Sequence, residues 1–233
     1  MSIIRQSLTQ LVELFYPNLC FACQQSHAAP KSAMCIRCEF HIVPTQYHTM
    51  EDNPVMERFA GRVQLAHATT CFEFTKGGLL QQLIHQLKYK NEPQVGVELG
   101  RIFGRMLKET APYDTVDYII PVPLHPKKQH KRGYNQAAMI AQGLAEGMQK
   151  EWSEKYLIRN TNTATQTKKS RLDRFANVQN AFDVVQAEAL EGKHLLLVDD
   201  VITTGATLEA CASKLLAAAQ CRVSLGAIAL ASN

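Results

Sequence analysis

The sequence predicts an α/β fold: a mainly parallel sheet flanked by helices, with a small N-terminal module built on four cysteines. Three observations carry this. Strand-like and helix-like periodicities alternate from about residue 63 to the C-terminus. Residues 195–198 are apolar throughout, as suits a parallel strand covered on both faces. Four of the seven cysteines fall within the first 38 residues as two C-x-x-C pairs.

The elements follow in order. Ile3, Ile4, Leu8, Leu11, Val12 and Phe15 recur at helical spacing, with Arg5, Gln6, Gln10 and Glu13 between them. This describes a short amphipathic helix closed by Pro17, not a signal peptide. Cys20 and Cys23 form the first pair, and Cys35 and Cys38 the second, with eleven residues between them. Two such knuckles can complete a tetrahedral thiolate site, and structural zinc is expected there. Disulfides and a redox C-x-x-C compete with this reading. Nothing suggests export, and a thioredoxin-like pair would need to open a helix after a strand. Residues 1–50 are expected to form the leading helix and metal module, and residues 51–233 the main domain. A polar link containing Pro54 joins them.

In the main domain, residues 63–74 read as extended, with a hairpin as one option. Residues 78–90 and 95–109 read as amphipathic helices, and 116–122 as a strand ending in Pro121-Val122-Pro123. Residues 134–149 read as a helix, 156–159 as a short strand, 206–219 as an alanine-rich helix and 223–229 as a last strand. Cys71, Cys211 and Cys221, dispersed among apolar residues, are expected in the core. No apolar run approaches the roughly 18 residues of a membrane span. The best stretch, 215–231, is interrupted by Gln220, Arg222 and Ser224. A cytoplasmic protein is expected.

The net charge of +4 is unevenly spread. Residues 121–136 hold Lys127, Lys128, Lys131 and Arg132 and no acid. Residues 159–174 hold Arg159, Lys168, Lys169, Arg171 and Arg174 against one acid, Asp173. Two basic loops on a mildly acidic body suggest a polyanionic ligand. Among the histidines, His125 and His130 lie in the first basic loop and suit anion contacts. His67 and His85 fit structural positions better than acid–base roles.

The strongest feature is the run from Leu195 through Val198, Asp199, Asp200, Val201 and Ile202 to Thr203, Thr204, Gly205, Ala206 and Thr207. An apolar strand ends in adjacent carboxylates, and a threonine-rich turn then enters a helix. N–H groups at such a helix start suit a phosphate dianion, and Gly205 allows close approach. The carboxylates can accept hydrogen bonds from sugar hydroxyls or help position a hydrated Mg²⁺. Together they describe a ribose 5-phosphate site. Neither a Walker loop nor a G-x-G-x-x-G turn is present.

This run resembles the signature of type I phosphoribosyltransferases, which bind 5-phosphoribosyl 1-pyrophosphate (PRPP). The C-x-x-C pairs, the Pro121-Val122-Pro123 segment leading to Arg132-Gly133-Tyr134-Asn135-Gln136, the stretch from Thr163 to Phe182, and the signature loop are together similar to the ComF/GntX family, the competence protein F group. The resemblance implies a type I phosphoribosyltransferase-like domain. It implies that Asp199 and Asp200 hold the ribose hydroxyls, and that Thr203, Thr204, Gly205, Ala206 and Thr207 hold the 5-phosphate. Val122, Pro123, Lys127, Lys128, Lys131 and Arg132 would serve the pyrophosphate. Thr163, Gln166, Arg174 and Asn177 match a mobile covering loop, in which Lys169 stands where the family usually has an apolar residue. The resemblance further implies a role in DNA uptake or in the use of DNA, with DNA-uptake machinery as partners. Single-stranded DNA is a candidate ligand, with Tyr134 or Phe175 as stacking rings. The alternative is an active phosphoribosyltransferase in nucleotide metabolism, with an unidentified acceptor and no DNA contact.

Overall fold

The computed structural model describes residues 19–28, 32–160 and 181–231. The leading helix expected over residues 1–17 lies outside them. So do Thr163, Gln166, Arg174 and Asn177, together with Lys168, Lys169, Arg171 and Phe175.

The described elements are α1 (Ile36–His41), α2 (Pro54–Phe59), β1 (His67–Glu73), α3 (Leu79–Tyr89), α4 (Pro93–Leu107) and β2 (Tyr118–Pro121). There follow α5 (Pro126–Arg132), α6 (Gln136–Met148), β3 (Glu151–Trp152), β4 (Leu157–Arg159) and β5 (Phe182–Val184). The chain closes with β6 (His194–Ile202), α7 (Ala206–Ala218) and β7 (Arg222–Leu230). The main sheet has the order β1-β7-β6-β2-β3 and every pairing in it is parallel. This is the expected α/β architecture.

Within residues 63–74 there is one strand, β1, rather than a hairpin. β1 pairs in parallel with β7, and six of its seven residues are buried. Its outer edge is met by the segment after the cysteine module: Thr45 donates its N–H to the Cys71 carbonyl, and Glu73 donates to Val43. That edge is therefore covered, which removes a template for pairing with another chain.

Successive residues of β6 feed different cores, as the period of two requires. Leu196 and Val198 join α3, α4 and α6 on one face, while Leu195 and Leu197 join α7 on the other. The cysteine module belongs to the first core, through Cys20, Met34, Cys35, Cys38 and Ile42. Helices α4 and α6 meet at glycines. A Cβ on Gly100 would lie 2.2 Å from the Ile140 carbonyl oxygen, and one on Gly143 would lie 2.0 Å from that of Val97. No larger residue fits, so α6 is fixed tightly against α4.

Two stretches read as loop or link are partly helical. Residues 126–132 form α5, with Pro126 in its first turn and Gly133 at φ +82° after it. Proline at the start and glycine just past the end is a helix signature that the charge run obscured. In the link, the Asn53 side chain caps α2 by accepting from the Val55 and Met56 N–H groups at 2.9 and 3.1 Å, with Pro54 following.

Candidate functional site

β2 ends its ladder with Pro121 opposite Val198, whereas β6 continues against β7 as far as Ile202. Asp199 and Asp200 thus lie within the strand, not after it, where β6 overhangs β2. The sequence placed the strand end too early because the apolar run stops at Val198, yet the ladder is made by backbone groups. Between β6 and β2 the order of the sheet reverses, and open α/β sheets bind ligands at the carboxyl ends of strands there.

The two carboxylates sit in unlike settings. Asp199 accepts a hydrogen bond from the Asp200 N–H at 2.8 Å. Burial, and next the neighbouring Asp200 charge, push Asp199 up to about 7. Asp200 accepts from Lys88 Nζ of α3 at 2.8 Å. Arg159 of β4 lies on the Asp199 side, its guanidinium 5.1 Å from the centre of the Phe182 ring. Burial lowers the pKa of Arg159, against the pull of nearby Cys211 and Asp199. The carboxylate pair is therefore flanked by cations from α3 and β4, neither of which the sequence had assigned to it.

Beyond Ile202 the chain turns through exposed Thr203 and Thr204 to Gly205 at φ +79°, then enters α7. A side chain at Gly205 is excluded twice, by that backbone angle and by the Phe59 ring 2.9 Å from its Cβ position. The loop carbonyls are drawn back toward α2. Arg58 Nη1 donates to the Thr203 carbonyl, and Arg62 Nη1 to that of Thr204 at 3.0 Å. Arg62 is itself held by Glu209 of α7, with Nε donating at 3.0 Å. The N–H groups of the α7 start face this point, that of Ala206 making only a long 3.4 Å contact to Thr204 Oγ1, and such a helix start suits an anion. Arg58 and Arg62 were missed because they support the loop from the link, almost 150 residues away. The Asn53-Pro54 helix start with arginines four apart was the available signal.

The Arg132-Gly133-Tyr134-Asn135-Gln136 segment is a clamp. Arg132 Nη1 donates to Gln136 Oε1 at 2.6 Å and stacks 5.4 Å from the Tyr89 ring centre. The Tyr134 hydroxyl donates to the Leu87 carbonyl. Asn135 caps α6 through the Ala137 N–H, and its Nδ2 donates to the Val122 carbonyl at 3.0 Å. The Val122 N–H donates to Val198. Both backbone groups of Val122 are thus used within the protein, and Tyr134 is half-buried with its hydroxyl occupied. The ring that stands exposed here is Tyr89, at 65%. Tyr134 is therefore corrected from stacking ring to structural anchor.

Around this clamp lies a cavity of about 490 Å³, lined by Lys88, Tyr89, Asn91, Lys128, His130, Lys131, Arg132 and Gly133. It contains no carboxylate of its own. Lys127 is exposed on the same helix, and Pro123 lines a separate cavity of about 200 Å³ that also holds Arg159. His125 caps α5 by accepting from the Lys127 N–H at 3.2 Å. His67 is buried and hydrogen-bonded to the Tyr113 hydroxyl at 2.7 Å, while His85 packs against Tyr89 on the surface of α3. Cys71 and Cys211 are core thiols, their pKa pushed up by burial, whereas Cys221 is half-buried.

The thiols of Cys20, Cys23, Cys35 and Cys38 are free, and their sulfurs all lie within 4.8 Å of one another. Backbone N–H groups of Gln25 and Ser26 draw Cys23 down to about 6. Burial and the neighbouring thiols push Cys38 up. Four convergent sulfurs can hold a metal ion. No described helix is long and apolar enough to cross a membrane.

Residues 135–233 match the phosphoribosyl transferase domain model. DNA utilization protein YhgH of Shigella flexneri is 34% identical over 140 residues, covering 59% of this chain and 61% of that protein. Competence protein F of Haemophilus influenzae is 37% identical over 133 residues, covering 55% and 58%. Competence protein ComFC of Bacillus subtilis is 29% identical over 143 residues, covering 61% and 56%. The chain thus spans about three-fifths of the length of these relatives. Among solved structures, glutamine PRPP amidotransferase from B. subtilis is similar at 21% identity and a TM-score of 0.43. That match covers 62% of this chain and 30% of the other.

Proposed function

We propose that this chain is a phosphoribosyltransferase-like protein of the ComF family that binds PRPP with Mg²⁺ at the β6 crevice and acts in DNA uptake or the use of DNA. The supporting observation is the convergence of three complementary parts at the carboxyl end of the central strand. These are the carboxylate pair, the helix-start donors behind Gly205 and a basic cavity without carboxylates. In this reading the N–H groups of residues 203–207 hold the 5-phosphate. Asp199 and Asp200 accept from the ribose hydroxyls. Lys128, Lys131 and Arg132 neutralise the diphosphate, the principal electrostatic contribution if the C1–O bond is broken. Two adjacent carboxylates, one held near neutrality by burial and repulsion, make a donor set that a divalent cation would relieve. Mg²⁺, when bound with PRPP, would supply further charge neutralisation there.

The four-cysteine site fits zinc by its all-sulfur donor set and its lack of disulfides, and its role would be structural. Elemental analysis should find one zinc per chain, and an absence of zinc in metal-replete protein would remove this assignment.

Single-stranded DNA would follow the exposed Lys127, Lys128 and Lys131 on α5, with the exposed Tyr89 as a stacking surface. The deciding experiment is calorimetric titration of PRPP and of a short oligothymidylate, each with and without Mg²⁺. PRPP should bind with Mg²⁺ assistance, and DNA should bind weakly, with affinity falling steeply as salt rises. PRPP binding without any DNA signal at low salt would favour the transferase alternative. Absence of PRPP binding would overturn the donor-site assignment.

A further inference from the structure

Lys88 belongs to both halves of the site at once. Its Nζ donates to Asp200 Oδ1 at 2.8 Å, and its side chain also lines the basic cavity with Lys128, Lys131 and Arg132. The Lys88 and Asp200 side chains are 22% and 13% exposed, so their attraction is less screened than that of a surface pair. Lys88 lies in the last turn of α3, where helix carbonyls favour a cation. The Tyr134 hydroxyl holds that turn through the Leu87 carbonyl, and the Arg132 guanidinium lies against Tyr89 beside it. The end of α3 is therefore fixed, while the Lys88 stem retains several rotatable bonds above it.

We propose that Lys88 is a shared cation that couples the two halves. An inorganic diphosphate group entering the cavity draws the ammonium away from Asp200, and Asp200 then becomes free to accept hydrogen bonds from a diol. Lys88 acts here as a positioning residue. The cavity favours a diphosphate because three further cations line it without a compensating acid. Asp200 opposes this by competing for the same ammonium. The consequence is selection for a ligand that carries diphosphate and diol together over one that carries either alone. This inference rests on the donor-site reading for its biological ligand, but its chemistry can be examined separately.

The experiment is a double-mutant cycle read by titration with inorganic pyrophosphate on the full chain. Parent, Lys88→Met, Asp200→Asn and the double variant are compared, each checked for an unchanged thermal unfolding profile. Lys88→Met should weaken pyrophosphate binding about tenfold, the size of one charge-assisted hydrogen bond. Asp200→Asn should tighten it several-fold, because the ammonium loses its competing partner. In the double variant that gain should vanish, because there is no ammonium to release. Lys88→Arg should restore part of the binding. A gain from Asp200→Asn that persists without Lys88 would mean simple relief of repulsion and would overturn the proposal. So would a parent that does not bind pyrophosphate, or a Lys88→Met variant that binds it like the parent. PRPP titrated against the parent keeps the two readings apart. Failure to bind PRPP with the cycle intact removes the donor assignment and leaves the shared cation standing.

Discussion

The two regions proposed to hold the anion are built in opposite ways. The loop from Asp199 to Thr207 is one contiguous stretch, and its strand, glycine turn and helix start are all written in neighbouring residues. The basic cavity is assembled from the end of α3 and from α5, segments about 40 residues apart in the chain. A contiguous site depends on local backbone geometry and on whatever holds its back. An assembled site depends on the packing that brings its walls together. The first should fail through conformation and charge at single residues, the second through the clamp that joins its walls.

The largest expected effect concerns stored repulsion in the contiguous region. Asp199 takes up its proton near 7 in the folded state against 3.8 for an ordinary aspartate. For a folded value raised in this way, the stabilising contribution is complete below the unfolded value and is lost as pH rises through the folded one. Asp199→Asn should therefore raise the unfolding midpoint by several degrees at pH 8, and the gap should close as the pH falls toward 4. Thermal melts across that range that show a constant gap would contradict the repulsion.

Arg62→Ala should come next, at about 2–3 kcal/mol of stability, because it leaves the nearly buried Glu209 without its partner and frees the Thr204 carbonyl. Denaturant unfolding measures the first effect, and weakened binding of ribose 5-phosphate would report the second. Loss of stability with intact phosphate binding would show that the loop keeps its shape without α2. Gly205→Ala should cost about 1–2 kcal/mol through its left-handed backbone and the Phe59 contact, and should weaken ribose 5-phosphate more than pyrophosphate. Equal losses for both ligands would erase the distinction between the two regions.

The smallest effect sharpens the assembled side. Tyr134→Phe removes one hydrogen bond from the clamp, worth about 1 kcal/mol, and should weaken pyrophosphate while leaving ribose 5-phosphate nearly untouched. Titration of both ligands into the variant provides the check. An unchanged pyrophosphate affinity would mean that the end of α3 is positioned by its apolar contacts alone.

The parallel α/β class, the four-cysteine cluster and the carboxylate–threonine–glycine loop are legible in the chain's own residues. Each is local: apolar runs at strand period, paired knuckles, and a glycine where a strand turns into a helix. The segment Arg132-Gly133-Tyr134-Asn135-Gln136 was legible as a motif but not as a device, because its partners Leu87 and Val122 lie in other elements. Folding alone brings Lys88 to face Asp200, sets Arg58 and Arg62 to brace the loop from behind, and stands Arg159 beside Asp199. It also places the carboxylates inside the β6 ladder, because β7 continues to pair where β2 has stopped. The physical reason is common to all of these. A charged side chain has no periodicity that reveals its partner, and a strand's length is set by the neighbour that accepts its hydrogen bonds.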